Sequence, residues 1–100
     1  MESGYKIYWT DYALVELEET YKYLEDNFTS KELRKLSSEI DNILKIISRN
    51  PKLFPFSETN GIRRIVIKKY NSLYYREKEG FIEILSFFSN RKNPDSSKLT

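Results

Sequence analysis

Along this chain the spacing of apolar residues changes period twice. "YKIYWT" (Tyr5–Thr10) is short, aromatic and β-branched, which predicts a first strand. From Thr10 the period lengthens: Ala13, Leu14, Leu17, Tyr21, Leu24 and Phe28 recur every three or four positions, the spacing of one helix face. Thr10 is placed to cap that helix, and Asp11 to favour the positive end of its dipole. "TSKE" (Thr29–Glu32) matches a capping box, in which the Thr and Glu side chains satisfy each other's free backbone N–H groups, so a second helix starts there. Its stripe is Leu33, Leu36, Ile40, Ile43, Leu44 and Ile47, and Asn50-Pro51 stops it. So short a link makes the pair an antiparallel hairpin.

A loop over residues 51–62, with two prolines and Asn60-Gly61, leads to three strand-like runs. These are Arg63–Lys68, Ser72–Lys78 and Phe81–Phe88, separated by "KYN" and "EG" turns close enough for an antiparallel meander. The order β-α-α-β-β-β predicts an α+β fold, a helical hairpin packed on an antiparallel sheet. One domain spans residues 1–100, with 95–100 expected to be a loose tail.

Alternation assigns the strand faces. Phe81, Leu85 and Phe87 are expected on one face of the last strand, with Ile82, Ile84 and Phe88 on the other. In the first strand Tyr5, Ile7 and Trp9 oppose Tyr8, and in the third Leu73 and Tyr75 oppose Tyr74. Apolar residues on both faces suit a sheet covered on both sides. A single hairpin covers one. The remaining aromatic surface is expected to receive a partner, such as an amphipathic peptide or helix; the alternative is that loop 51–62 and the tail fold over it.

Composition narrows the chemistry. The chain has no cysteine and no histidine, which removes disulfides, thiolate metal sites, the usual zinc ligands and the usual general base near neutral pH. No metal or other cofactor is expected. Glu16, Glu18, Glu19, Glu25 and Asp26 read as the solvated face of the first helix. Neither a signal peptide nor a membrane span is visible, so the expected location is cytoplasmic, with no membrane partner. Charge is uneven: residues 1–50 hold seven Lys/Arg and ten Asp/Glu, while residues 51–100 hold ten and five. A basic second half hints at an anionic partner. The eight tyrosines, set among cations, also suggest base stacking; those at 12, 21 and 23 fall in the helical region, where packing explains them better.

The second half carries an ordered set of residues: Arg64 opening a strand, Tyr70 in the turn, Tyr74-Tyr75-Arg76, Ile82–Leu85, then Phe88, Arg91 and Pro94. This set resembles the ParE/RelE superfamily of bacterial type II toxins, and "WTDYALVELEETYKYL" resembles that family's first strand and helix. The resemblance implies a plasmid-stabilising type of toxin, held in a hetero-oligomer by a cognate antitoxin. Its implied antitoxin contacts are Tyr8, Tyr74 and Phe88.

The branches differ in target. The RelE branch cleaves mRNA on the ribosome with Arg, Lys and Tyr residues that stabilise charge on the phosphorane and activate the 2′-hydroxyl. Matched to this chain, Arg91 fits that set, while the third-strand Arg falls at Asn71 and the C-terminal Tyr near Ser97, with Arg64 or Arg76 as substitutes if the register slips. The ParE branch poisons DNA gyrase by protein contact and needs no catalytic set, though many of its members carry His where this chain has Ser89. ParE-like gyrase inhibition without catalysis is therefore the first reading, with Arg64, Asn90, Arg91 and Lys92 as target contacts. An mRNA endoribonuclease is the second, and an inactive toxin-fold binding module the third.

Overall fold

The computed structural model describes residues 4–57 and 61–89. Six elements follow in the predicted order: β1 (Lys6–Trp9), α1 (Asp11–Asn27), α2 (Ser30–Arg49), β2 (Arg63–Ile67), β3 (Asn71–Lys78) and β4 (Phe81–Ser89). The expected caps are in place. Thr10 Oγ1 accepts from the Ala13 N–H at 3.1 Å and donates to the Ile84 carbonyl at 3.0 Å, so one hydroxyl starts α1 and ties it to β4. Thr29 Oγ1 accepts from the Glu32 N–H at 3.4 Å, and α2 ends at Asn50.

The sheet runs in the order β1-β4-β3-β2. Strands β2, β3 and β4 form the expected antiparallel meander, whereas β1 lies parallel to β4. The sheet is therefore mixed rather than wholly antiparallel. A parallel neighbour needs a long crossover, and the helical hairpin provides it. Periodicity fixes which residues share a face but not which strand a distant strand joins.

One face of the sheet carries the core. Ala13, Leu24, Leu36, Ile40 and Ile47 of the hairpin close on Ile65, Ile67, Leu73, Tyr75, Ile82, Ile84 and Phe87. Burying a side chain of this size stabilises by roughly 1.5–3 kcal/mol, so this layer dominates the fold's stability. The α1 stripe departs from expectation in two places. Leu14 and Phe28 are exposed, and Thr20 is buried instead, its hydroxyl donating to the Glu16 carbonyl at 2.9 Å. That bond hides the polar atom and lets a threonine occupy a core position.

Strand β4 contains a bulge. Its register against β3 steps from Tyr74↔Ser86 to Tyr75↔Ile84, leaving Leu85 as an extra residue. An extra residue inverts the alternation beyond it. Ile82 and Ile84 before the bulge, and Phe87 and Ser89 after it, consequently all face the helices. Phe87 does not share the face of Phe81 as simple alternation predicts, and Phe88 points away from Ile82 and Ile84.

Loop residues 51–57 run along the outer edge of β2 and do not cross the free face. The Arg64 N–H donates to the Pro55 carbonyl at 3.2 Å and the Ser57 N–H to Ile62 at 2.7 Å, covering an otherwise open edge. Arg63 donates to the Phe54 carbonyl at 2.7 Å and lies 3.9 Å over the Phe56 ring. Tyr75 is fully buried, its hydroxyl donates to the Pro51 carbonyl at 2.8 Å, and burial pushes its phenol up to about 12. Nearby, Glu77 accepts from the Tyr5 hydroxyl at 2.9 Å and from Lys52 Nζ at 3.2 Å. The Tyr5 bond holds the Glu77 carboxyl below its ordinary range, and the same bond raises the Tyr5 phenol.

Candidate functional site

Among the described residues no helix lies over the other face of the sheet. Cross-strand register sets its side chains in rows: Tyr8–Glu83–Arg76, then Ser86–Tyr74–Arg64, then Phe88–Ser72–Val66. Tyr8, Val66 and Phe88 are 54%, 54% and 37% exposed, well above what a packed sheet face allows. Tyr8 also meets Phe81 edge to face, with ring centroids 5.2 Å apart. Apolar and aromatic groups thus flank a polar centre. Residues 51–57 of the loop do not cover this face, while residues 58–60 and the tail, the other cover expected from the sequence, lie outside the described residues.

Arg64 sits in that centre. Its Nη2 and Nε lie 3.3 and 3.4 Å from Ser72 Oγ. A hydroxyl orients a guanidinium without neutralising it, so the positive charge stays available on the face. Arg76 is different: its Nε is paired with Glu83 at 2.8 Å, which offsets its charge. Arg63 points to the opposite side of β2, as alternation requires, and supports the loop.

The expected antitoxin contacts Tyr8, Tyr74 and Phe88 share this face with Arg64. Asn90, Arg91 and Lys92 lie outside the described residues, as do Ser97 and the 95–100 tail. Asn71, the position matched to a third-strand catalytic Arg, is buried on the helix side, where its amide donates to the Ile67 carbonyl at 3.0 Å. It does not reach the face of Arg64, whereas its β3 neighbour Ser72 does. Among the described residues no cluster of carboxylates or other ligands is suited to a metal ion, and no helix is long and apolar enough to cross a membrane.

Sequence reasoning missed Val66 and Phe81 as parts of the face, although alternation within β2 and the pre-bulge half of β4 places both there. It also misplaced Glu16, which is not on the solvated side of α1. Glu16 Oε1 accepts from the Ser86 hydroxyl at 2.7 Å and from the Phe87 N–H at 2.8 Å. Since β1 pairs with β4 only as far as Ile84, this carboxylate satisfies β4 where its neighbour strand runs out.

A two-helix hairpin on one face of a four-stranded mixed sheet is a ParE/RelE-like toxin fold. A chain of the chromosomal ParDE toxin–antitoxin system from P. aeruginosa is similar at 20% identity, covering 85% of this chain and 95% of that one, with a TM-score of 0.71. The YoeB dimer from Staphylococcus aureus is similar at 25% identity, covering 84% of this chain and 94% of that one, with a TM-score of 0.59. No family model and no curated relative matches the sequence.

Proposed function

We propose that this chain is the toxin of a bacterial toxin–antitoxin pair and that it inhibits growth by binding DNA gyrase. One observation carries the reading: an aromatic sheet face with Arg64 at its centre and, among the described residues, no helix above it. A partner segment that buries Tyr8, Tyr74 and Phe88 also covers Arg64, so neutralisation follows from occlusion. The two solved structures described above, from a ParDE toxin–antitoxin system and of YoeB, support a toxin of a toxin–antitoxin pair.

Gyrase is favoured over mRNA because protein contact needs only a complementary surface, whereas cleavage needs groups to activate the 2′-hydroxyl. The face offers Arg64 as a cation, and the position matched to a third-strand Arg is buried. Asn90, Arg91 and Lys92, which follow β4 in the sequence, are the other proposed target contacts. The proposed setting is the bacterial cytoplasm.

Regulated expression in bacteria without antitoxin tests the assignment. Loss of DNA supercoiling with an SOS response is the expected result. A rapid halt of translation with mRNA cut inside codons overturns the gyrase reading in favour of an endoribonuclease, and unimpeded growth leaves only a binding module. Arg64→Ala and Arg91→Ala are each expected to relieve toxicity. Full toxicity in both variants removes these residues from the target surface.

A further inference from the structure

On the helix side of the sheet, away from Arg64, the α1–α2 hairpin and the β2–β3 turn enclose a cavity of about 140 Å³. Three of its lining residues are polar and hidden: Thr20, Asn71 and Ser89 are 2%, 6% and 1% exposed. Buried polar side chains gathered in one place require partners. Thr20 and Asn71 each make one bond to a neighbouring carbonyl, yet a hydroxyl oxygen also accepts and an amide nitrogen has a second hydrogen. Capacity for a polar guest remains.

Charge points to the sign of that guest. Lys35 and Lys68 line the cavity from α2 and from the turn, against a single acid, Glu32. Both lysines also border a shallower depression, where Lys31 and Arg34 join them against Glu39. Lys68 is held at φ 54°, a left-handed conformation that glycine adopts far more readily. A lysine is nevertheless present, and its backbone strain is concentrated beside a cavity.

We propose that this cavity binds a phosphate group, with Lys35 and Lys68 supplying the charge and the Asn71 amide and Ser89 hydroxyl supplying hydrogen bonds. The volume suits a tetrahedral oxyanion and is well below the roughly 300 Å³ at which pockets for larger organic ligands begin. Ammonium groups act as point charges that fit phosphate, whereas a flat carboxylate is better matched by an arginine fork. The adjoining basic depression gives the rest of a phosphate ester somewhere to lie. Glu32 opposes binding and keeps it modest. The site is independent of the toxin reading, since it uses the opposite side of the sheet.

Titration of the ¹⁵N-labelled full chain with inorganic phosphate, exchanged against NaCl at constant ionic strength, tests it. Saturable shifts of the Lys68, Asn71 and Ser89 amides are expected, and Lys35→Ala or Lys68→Gly weakens binding about tenfold or more. Glu32→Gln tightens it. Uridine monophosphate binding more tightly than inorganic phosphate, with uridine inert, identifies a phosphate ester as the source; equal affinity identifies the free ion. Because Lys68→Gly also relieves the positive φ, its melting temperature should not fall, which separates lost binding from lost folding. Shifts that never saturate, or that survive unchanged in a Lys35→Ala/Lys68→Gly double variant, overturn the proposal.

Discussion

Glu16 and Phe87, far apart in sequence, are joined by a 2.8 Å hydrogen bond from the Phe87 backbone N–H to the Glu16 carboxylate. The carboxylate occupies the place on β4 that a continuing β1 would fill. Glu16→Ala leaves this half-buried N–H unmatched and should cost about 1–3 kcal/mol, measured by chemical denaturation. Glu16→Gln keeps an acceptor oxygen and should recover most of the loss. If both variants are as stable as the parent, the cap is dispensable.

Adjacent phenylalanines should respond in opposite ways. Phe87 is fully buried, so Phe87→Ala is expected to lose about 3–5 kcal/mol. Phe88 lies on the free face, so Phe88→Ala should change stability by about 0.5 kcal/mol or less, yet weaken antitoxin binding. Denaturation midpoints and titration calorimetry separate the two effects, and equal destabilisation contradicts the bulge at Leu85.

The β2–β3 turn holds Lys68 and Lys69 at φ 54° and 70°. Lys69→Gly removes the side-chain clash at that φ, partly offset by the greater freedom of glycine in the unfolded chain. A net gain of about 0.5–1 kcal/mol is expected, read as a rise of a few degrees in melting temperature.

Alkali should unfold the protein through its buried phenol. Tyr75 titrates at about 12 when folded against an ordinary 10.0, so the fold favours its neutral form. That contribution is complete below pH 10.0 and is lost as pH rises through about 12. Tyr5, also raised, acts in the same direction, while Glu77, lowered below 4.5, withdraws support as pH falls through its folded value. Tyr75→Phe should cost about 1 kcal/mol at neutral pH and flatten the alkaline decline, seen in denaturant midpoints from pH 8 to 12.

The helices were legible because their signals are local: Thr10 and Thr29 cap them, and each stripe is carried by residues three or four apart. The strands and their turns were legible for the same reason. Two relationships were not. The parallel seat of β1 beside β4 depends on where a crossover returns, which no short window encodes. The bulge turns on Leu85, an apolar residue among apolar neighbours that nothing in the sequence marks as the extra one. Glu16 was partly legible: it falls on the same turn-by-turn line as Ala13 and Thr20, which is a position for a buried group. Its acidic neighbours Glu18 and Glu19 concealed that. Of the candidate site, Tyr8, Arg64 and Tyr74 could be placed on one face by alternation. Phe88 reached it through the bulge, and not with the companions that alternation assigns.

Because β1 precedes the helices and the strand it pairs with, β4, follows β3, the two helices emerge during synthesis before most of their sheet floor exists. Neither can shelter its oily stripe until β4 has been made. Assembly must therefore wait for β4, and a product cut short before it should remain unfolded.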